Sequence, residues 1–123
     1  MRVKDAVGRF GEQVAAERLA AGGVTILARN WRCRDGELDI VGQDGDCLVF
    51  VEVKTRSSMS HGAPAEAVSA RKATRIRRLA LQWLAEQRAD GQFPAWTAMR
   101  FDVVSVLRSN AVPLVVEHLV GAF

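Results

Sequence analysis

Asp39, Glu52 and Lys54 are the side chains whose types and spacing could carry chemistry; they stand in Gly36-Glu37-Leu38-Asp39-Ile40-Val41 and Val49-Phe50-Val51-Glu52-Val53-Lys54-Thr55-Arg56. Converging carboxylates hold hard divalent cations such as Mg2+ or Mn2+, which prefer oxygen ligands. An ammonium beside such a site can orient water and offset the charge of a phosphate. A strand that only filled a core would not interrupt an apolar run with Glu52 and Lys54 two residues apart. Alone the pair is weak evidence, because a solvent-facing strand often carries an ion pair worth well under about 1 kcal/mol. The neighbouring residues decide its meaning.

Gly42-Gln43-Asp44-Gly45-Asp46 separates two apolar runs, and Asp-Gly in that setting is a strong hairpin signal. With Asp44 and Gly45 as the two turn residues, Gln43 faces Asp46, and the ladder pairs Val41 with Leu48, Asp39 with Phe50 and Glu37 with Glu52. Opposed residues share a face, and strand side chains switch faces at every residue. Asp39 then points the same way as Glu52 and Lys54, diagonal to Glu52 at a Cα separation of roughly 7–8 Å. A slip of one residue would send Asp39 to the opposite face. Glu37 facing Glu52 near Asp39 clusters like charge, which destabilises a sheet unless a cation compensates. Asp39, Glu52 and the Val53 carbonyl would supply an incomplete oxygen shell, finished by water and phosphate.

The elements that must position these groups follow from periodicity. Val7, Phe10 or Gly11, Val14 or Ala15, and Leu19 recur at helical spacing from about Lys4 to Ala21, with Gly22-Gly23 as a stop. Glu12, at the margin of that stripe, could reach the sheet or simply be solvated. Val24 to Arg29 reads as a short strand, Trp31 to Cys33 as a loop, and Glu37–Val41 and Cys47–Thr55 as the hairpin strands. After the polar stretch Ser57–Gly62, a long helix is expected from Ala65 to Arg88, with a break near Ser69; Asp90-Gly91-Gln92-Phe93-Pro94 ends it. Phe101–Leu107 and Leu114–Val120 complete the strands. A helix, three strands, a helix and two strands require a mixed five-stranded sheet crossed by the second helix.

Arg71, Lys72, Arg75 and Arg78 form a basic stripe beside the apolar face of the long helix. They are either a solvated face, answered by Glu66 and Glu86, or phosphate contacts that would make binding strongly salt-dependent. Arg56, Arg32 and Arg34 could extend that surface. Asp102 interrupts an apolar strand beside Arg100, either pairing with it or bracing the site. His61 and His118 have no supporting partners in the sequence. Trp31, Trp83 and Trp96 suit core or rim packing better than base stacking. No Gly-rich phosphate loop, Ser-His-Asp set or activated cysteine is visible.

At 123 residues and 49% hydrophobic composition, one domain spanning 1–123 with a substantial core is expected. The net charge is only +3, so the placement of bases matters more than their sum. Cys33 and Cys47 lack the spacing of a zinc site or disulfide framework and read as reduced thiols. No apolar leader or run of about 18 apolar residues appears, so no membrane association and a cytoplasmic location are expected.

Gly8-x-x-Gly11-Glu12, Gly36-Glu37-x-Asp39-Ile40-Val41, Phe50-Val51-Glu52-Val53-Lys54-Thr55-Arg56, Lys72, Arg100-Phe101-Asp102-Val103 and the closing Ala122-Phe123 together resemble the bacterial YraN-like family over essentially the full chain. That resemblance implies an α/β, restriction-endonuclease-like three-layer fold of the PD-(D/E)xK type, similar to archaeal Holliday junction resolvases, in the order α-β-β-β-α-β-β. By motif, Asp39 is the PD-type aspartate, although Leu38 replaces the proline. Glu52 and Lys54 are the (D/E)xK pair, and Glu12 matches the acidic residue of the first helix. The implied function is a Mg2+- or Mn2+-dependent endonuclease or exonuclease acting on DNA, on branched or single-stranded structures in repair or recombination. Asp39, Glu52, Lys54 and Glu12 would be catalytic, with Asp39, Glu52 and Glu12 as metal ligands. Arg56, Arg71, Lys72, Arg75 and Arg78 would contact nucleic acid. By analogy, cleavage of a junction at two sites would call for a homodimer. The alternatives are a nucleic-acid-binding protein without catalysis on the same fold, and a scaffold in which Glu52 and Lys54 only stabilise the sheet.

Overall fold

A computed structural model describes residues 3–57, 68–91, 96–110 and 113–123, with side chains from residue 6 onward. The elements are α1 (Val3–Ala21), β1 (Thr25–Cys33), β2 (Gly36–Asp44), β3 (Cys47–Arg56), α2 (Ala70–Ala89), β4 (Ala98–Leu107) and β5 (Val115–Leu119). The strands lie side by side in chain order. β3 and β4 pair in parallel and the other neighbours antiparallel, so the chain must cross the sheet between β3 and β4, and α2 lies in that connection. The α/β fold with a mixed five-stranded sheet between two helices is the one the sequence motifs imply.

Each helix covers one face. Ala15, Ala16 and Leu19 of α1 pack with Ile40, Val49, Val51, Val104 and Val106. Ile76, Leu79, Ala80 and Trp83 of α2 pack with Leu38, Val41, Leu48, Phe50 and Phe101. A sheet buried on both faces reads as a continuous apolar run, as Leu48 to Val51 does. Phe50 stacks on Phe101 at 5.5 Å and meets Trp83 edge-on at 5.9 Å, and Trp83 lies 5.6 Å from Trp96. Trp83 is thereby a core residue, and Trp96 packs at its margin.

The hairpin register departs from the expected one. Asp44 pairs with Cys47, Gln43 with Leu48, Val41 with Phe50 and Ile40 with Val51. The turn residues are Gly45 and Asp46, with Gly45 at φ 62°, because a tight hairpin turn of this kind needs positive φ at its first central position, where glycine is unstrained. The pairing is displaced by an even number of residues, so the paired residues from Ile40 to Asp44 and from Cys47 to Val51 keep their expected faces, but Glu37 does not face Glu52. The ladder stops at Ile40 and Val51, and beyond it Oδ2 of Asp39 accepts the Val53 N–H at 2.9 Å.

β1 extends through the expected loop at Trp31–Cys33. Trp31 and Cys33 pack against the α2-side core, and Trp31 Nε1 donates to Glu86 at 2.9 Å. Ala28 and Trp31, three residues apart, both face α2, which an unbroken strand forbids. The switch falls at Asn30, whose φ is 54°. Leu38 and Val41 on β2 share the same anomaly, so the sheet is kinked where Asn30 and Asp39 sit.

α2 begins at Ala70, after the break expected near Ser69. Ser69 caps it with an extended backbone, its hydroxyl accepting the Lys72 N–H at 3.2 Å. The expected loop at Ser57–Gly62 with His61, the helix start at Ala65 and the segment around Pro94 lie wholly or partly outside the described residues.

Candidate metal and nucleic-acid site

The kinked corner of the sheet gathers the charged residues. Glu12 of α1 and Glu37 and Asp39 of β2 bring carboxylate oxygens within 4.8 Å of one another. A cleft of about 700 Å³ opens there, its wall including Gly8, Glu12, Asp39, Glu52, Lys54 and Lys72. A smaller hollow of about 310 Å³ shares Asp39, Glu52 and Lys72 and adds Glu37 and Arg75. Glu12, Asp39, Glu52 and Lys54 therefore meet at one cleft from three elements. A separate hollow beside Trp96, lined by Leu48, Leu84 and Met99, has no carboxylate in its wall.

Close backbone approach makes this convergence feasible. Gly11 is buried, and a Cβ there would overlap Thr55 Oγ1. The missing side chain lets α1 lie on β3, which carries the adjacent Glu12 to Asp39. Asn30, in the left-handed conformation that Asn tolerates better than most residues, hydrogen-bonds Glu12.

Burial dominates the electrostatics. It pushes Asp39 up to about 7, with the Glu52 charge adding to the rise and the Val53 N–H partly offsetting it. Glu12 is also raised by burial, against the pull of its Asn30 bond. Carboxylates crowded this closely oppose one another's ionisation, and a hard divalent cation relieves that opposition while matching their oxygen donors. The oxygen donors of Glu12, Glu37 and Asp39 fit Mg2+ or Mn2+, and Glu52 lines the same cleft outside that close group.

Lys72 lies inside the site, not only on the outer stripe. Its Nζ is 2.7 Å from Glu52 Oε1, with 12% of the glutamate side chain exposed. Arg71, Arg75 and Arg78 are exposed on α2, and Arg75 lines the smaller hollow. Arg56 corrects its expected place on the binding surface: it is 8% exposed, and its Nη2 donates to Ser105 Oγ at 3.3 Å. The parallel β3–β4 pairing runs through Arg56 and Leu107, which draws the end of β3 into the fold. Glu37, expected as a like charge facing Glu52 and not as a metal ligand, stands in the acidic group with Glu12 and Asp39, as the i, i+2 spacing in Glu37-Leu38-Asp39 allows. Glu37 also pairs with Arg32 at 3.0 Å.

Asp102 pairs with Arg100 but does not line the acidic cleft. It is fully buried; it accepts Arg100 Nε at 2.9 Å and the Gly121 N–H at 2.9 Å, and lies 2.7 Å from His118 Nε2. Arg100 reaches on to Asp44 at 3.2 Å. The network ties β4 to the turn after β5 and to the far end of β2. Cys33 and Cys47 are free thiols.

The family model described as uncharacterised protein family UPF0102 matches residues 11–106. The chain belongs to the UPF0102 family. A UPF0102 protein of Frankia casuarinae is 60% identical over 123 residues, covering all of both chains. One from Beutenbergia cavernae is 54% identical over 121 residues, covering 98% of each chain. One from Nocardia farcinica is 52% identical over 120 residues, covering 98% of this chain and 91% of its own. These relatives bear out the family resemblance carried by the motifs. Among the described residues, no helix of this UPF0102 chain is long and apolar enough to cross a membrane.

Proposed function

We propose that this UPF0102 protein is a divalent-metal-dependent DNA nuclease. The observation that carries the reading is the convergence of Glu12, Asp39, Glu52 and Lys54 on one cleft from α1, β2 and β3. Asp39 and Glu52, with Glu12 beside them, would hold Mg2+ or Mn2+, which supplies Lewis-acid stabilisation of a phosphodiester under attack by water. Lys54, exposed at the rim, orients that water and offsets phosphate charge as it develops. Asp39 is steadied by the Val53 N–H, so its second oxygen keeps a fixed direction. Arg71, Arg75 and Arg78 offer phosphate contacts along the helix beside the cleft, without reading sequence. DNA, including branched or single-stranded forms, is the proposed substrate.

The second reading, nucleic-acid binding without catalysis, is favoured by one observation: Lys72 already neutralises Glu52. A cleavage assay separates the two. Linear, single-stranded, flap and four-way-junction DNA are incubated with Mn2+ or Mg2+ and with wild type, Asp39→Ala or Lys54→Ala protein. Metal-dependent cutting lost in both variants supports the nuclease. Undiminished cutting by the variants assigns the activity to a contaminant. Salt-sensitive binding without cutting, retained in both variants, supports the second reading.

A further inference from the structure

We propose that Lys72 is an internal counter-cation that holds Glu52 until a divalent ion displaces it, and that the freed ammonium then turns to the solvent side of the cleft, where substrate phosphate would lie. This rests on the reading of the cleft as a metal centre and goes beyond it by assigning a residue outside the Glu52-x-Lys54 pair.

The placement of Lys72 defies local preference. Ser69 is the N-cap of α2, and the Ser69 hydroxyl takes the Lys72 N–H at 3.2 Å, which makes Lys72 the third residue of the helix. A Glu or Gln commonly stands there and reaches back to the cap, and acids are favoured near the positive end of the helix dipole. The first turn of α2 has no acid; it carries Arg71 and Lys72 instead. A sequence that breaks a local rule in this way is expected where function requires it. The gain is visible in the cleft: the nearly buried Glu52 carboxylate, crowded by Asp39, receives an ammonium at 2.7 Å.

Lys72 is also able to leave. Its side chain is 33% exposed, and it lines both openings that reach Asp39 and Glu52. One ammonium pairs with one carboxylate, whereas a divalent ion between Asp39 and Glu52 neutralises both. Metal and Lys72 therefore compete for Glu52, and two groups that compete for one partner must weaken each other reciprocally.

The test titrates MnCl2 calorimetrically at pH 8 into wild type, Lys72→Met and Lys72→Arg, with thermal melts establishing that each is folded. Lys72→Met is expected to bind Mn2+ roughly tenfold more tightly than wild type, while Lys72→Arg, which keeps the charge, stays near wild type. Wild type that binds Mn2+ with Lys72→Met binding it no tighter overturns this inference alone. Absence of Mn2+ uptake by wild type and both variants overturns the metal-centre reading together with it. A second measurement needs no substitution: amine acylation of the wild-type protein, read by mass spectrometry, follows Lys72 against Lys4 and Lys54. Added Mn2+ is expected to raise Lys72 acylation relative to Lys4, and an unchanged or lower ratio overturns the proposal.

Discussion

Asp39→Asn should make the metal-free protein more stable at pH 8.5 while removing its response to Mn2+. The Asp39 carboxyl is pushed from 3.8 to about 7, first by burial and then by Glu52. Because the folded-state value lies above the unfolded one, the folded protein keeps a proton that the unfolded chain has lost between about pH 4 and pH 7. The associated stability is complete below that window and is lost as pH rises through it. At about 1.36 kcal/mol per unit, charging Asp39 in the folded state costs up to about 4 kcal/mol. Asn removes that charge and can still accept the Val53 N–H, but its buried amide leaves donors to satisfy, which takes back about 1–2 kcal/mol. A net gain of about 2 kcal/mol is expected at pH 8.5, or about 6–10 °C for a chain of this size. At pH 5 wild-type Asp39 is already protonated, so the gain should vanish. Thermal melts in EDTA at both pH values measure it. Mn2+ at 100 times its Kd should then stabilise wild type by about 2.7 kcal/mol and the variant hardly at all. Destabilisation at pH 8.5, or the same effect at both pH values, would refute the argument that charge crowds this cleft.

Gly11→Ala should destabilise by about 1–3 kcal/mol through overpacking on Thr55, read as a lowered urea midpoint, with part of the loss recovered by adding Thr55→Ala. Asp102→Asn breaks a fully buried network with Arg100 and His118 and should cost about 3–5 kcal/mol in urea unfolding, while calorimetric Mn2+ affinity at pH 8 stays at the wild-type value. Arg75→Ala, at an exposed base lining the hollow beside Glu52, should weaken DNA binding uniformly across sequences and reduce the slope of log affinity against log salt by about 1.

Much of the fold and part of the site were legible in residue order. The period-2 interruption at Glu52 and Lys54 marks the motif strand, and the even displacement of the hairpin register leaves the paired residues on their expected faces, whereas Leu38 joins Val41 on the α2 face beyond the kink. The turn falls one residue later than expected because Asp44-Gly45 and Gly45-Asp46 satisfy similar chemistry, and only the positive φ of Gly45 at the first turn position separates them. β1 runs past its expected end at Arg29 to Cys33 because Arg29-Asn30-Trp31-Arg32-Cys33, polar overall, still alternates at Trp31 and Cys33 as strand residues do. The kink at Asn30 hides that alternation from a strict period.

Spacing alone places Lys72 with Arg71, Arg75 and Arg78 in one basic stripe; with Ser69 as the cap it falls in the first turn, on Glu52. Arg56 continues the motif strand in sequence, and nothing local announced that β4 runs parallel beside it and buries it. Spacing alone sets Glu37 as a charge opposite Glu52, whereas the end of the ladder at Ile40 leaves it beside Glu12 and Asp39. Tertiary pairing decided each of these cases, and local pattern carries little information about pairing between distant elements.

The most direct test of the metal centre is the position of the ion itself. Crystals grown or soaked in MnCl2 near pH 8 and measured at a wavelength where manganese scatters anomalously should show a peak coordinated by both Asp39 and Glu52, with Lys72 displaced from the Glu52 carboxylate. A saturated crystal with Lys72 still on Glu52 and no peak between Asp39 and Glu52 would contradict the account.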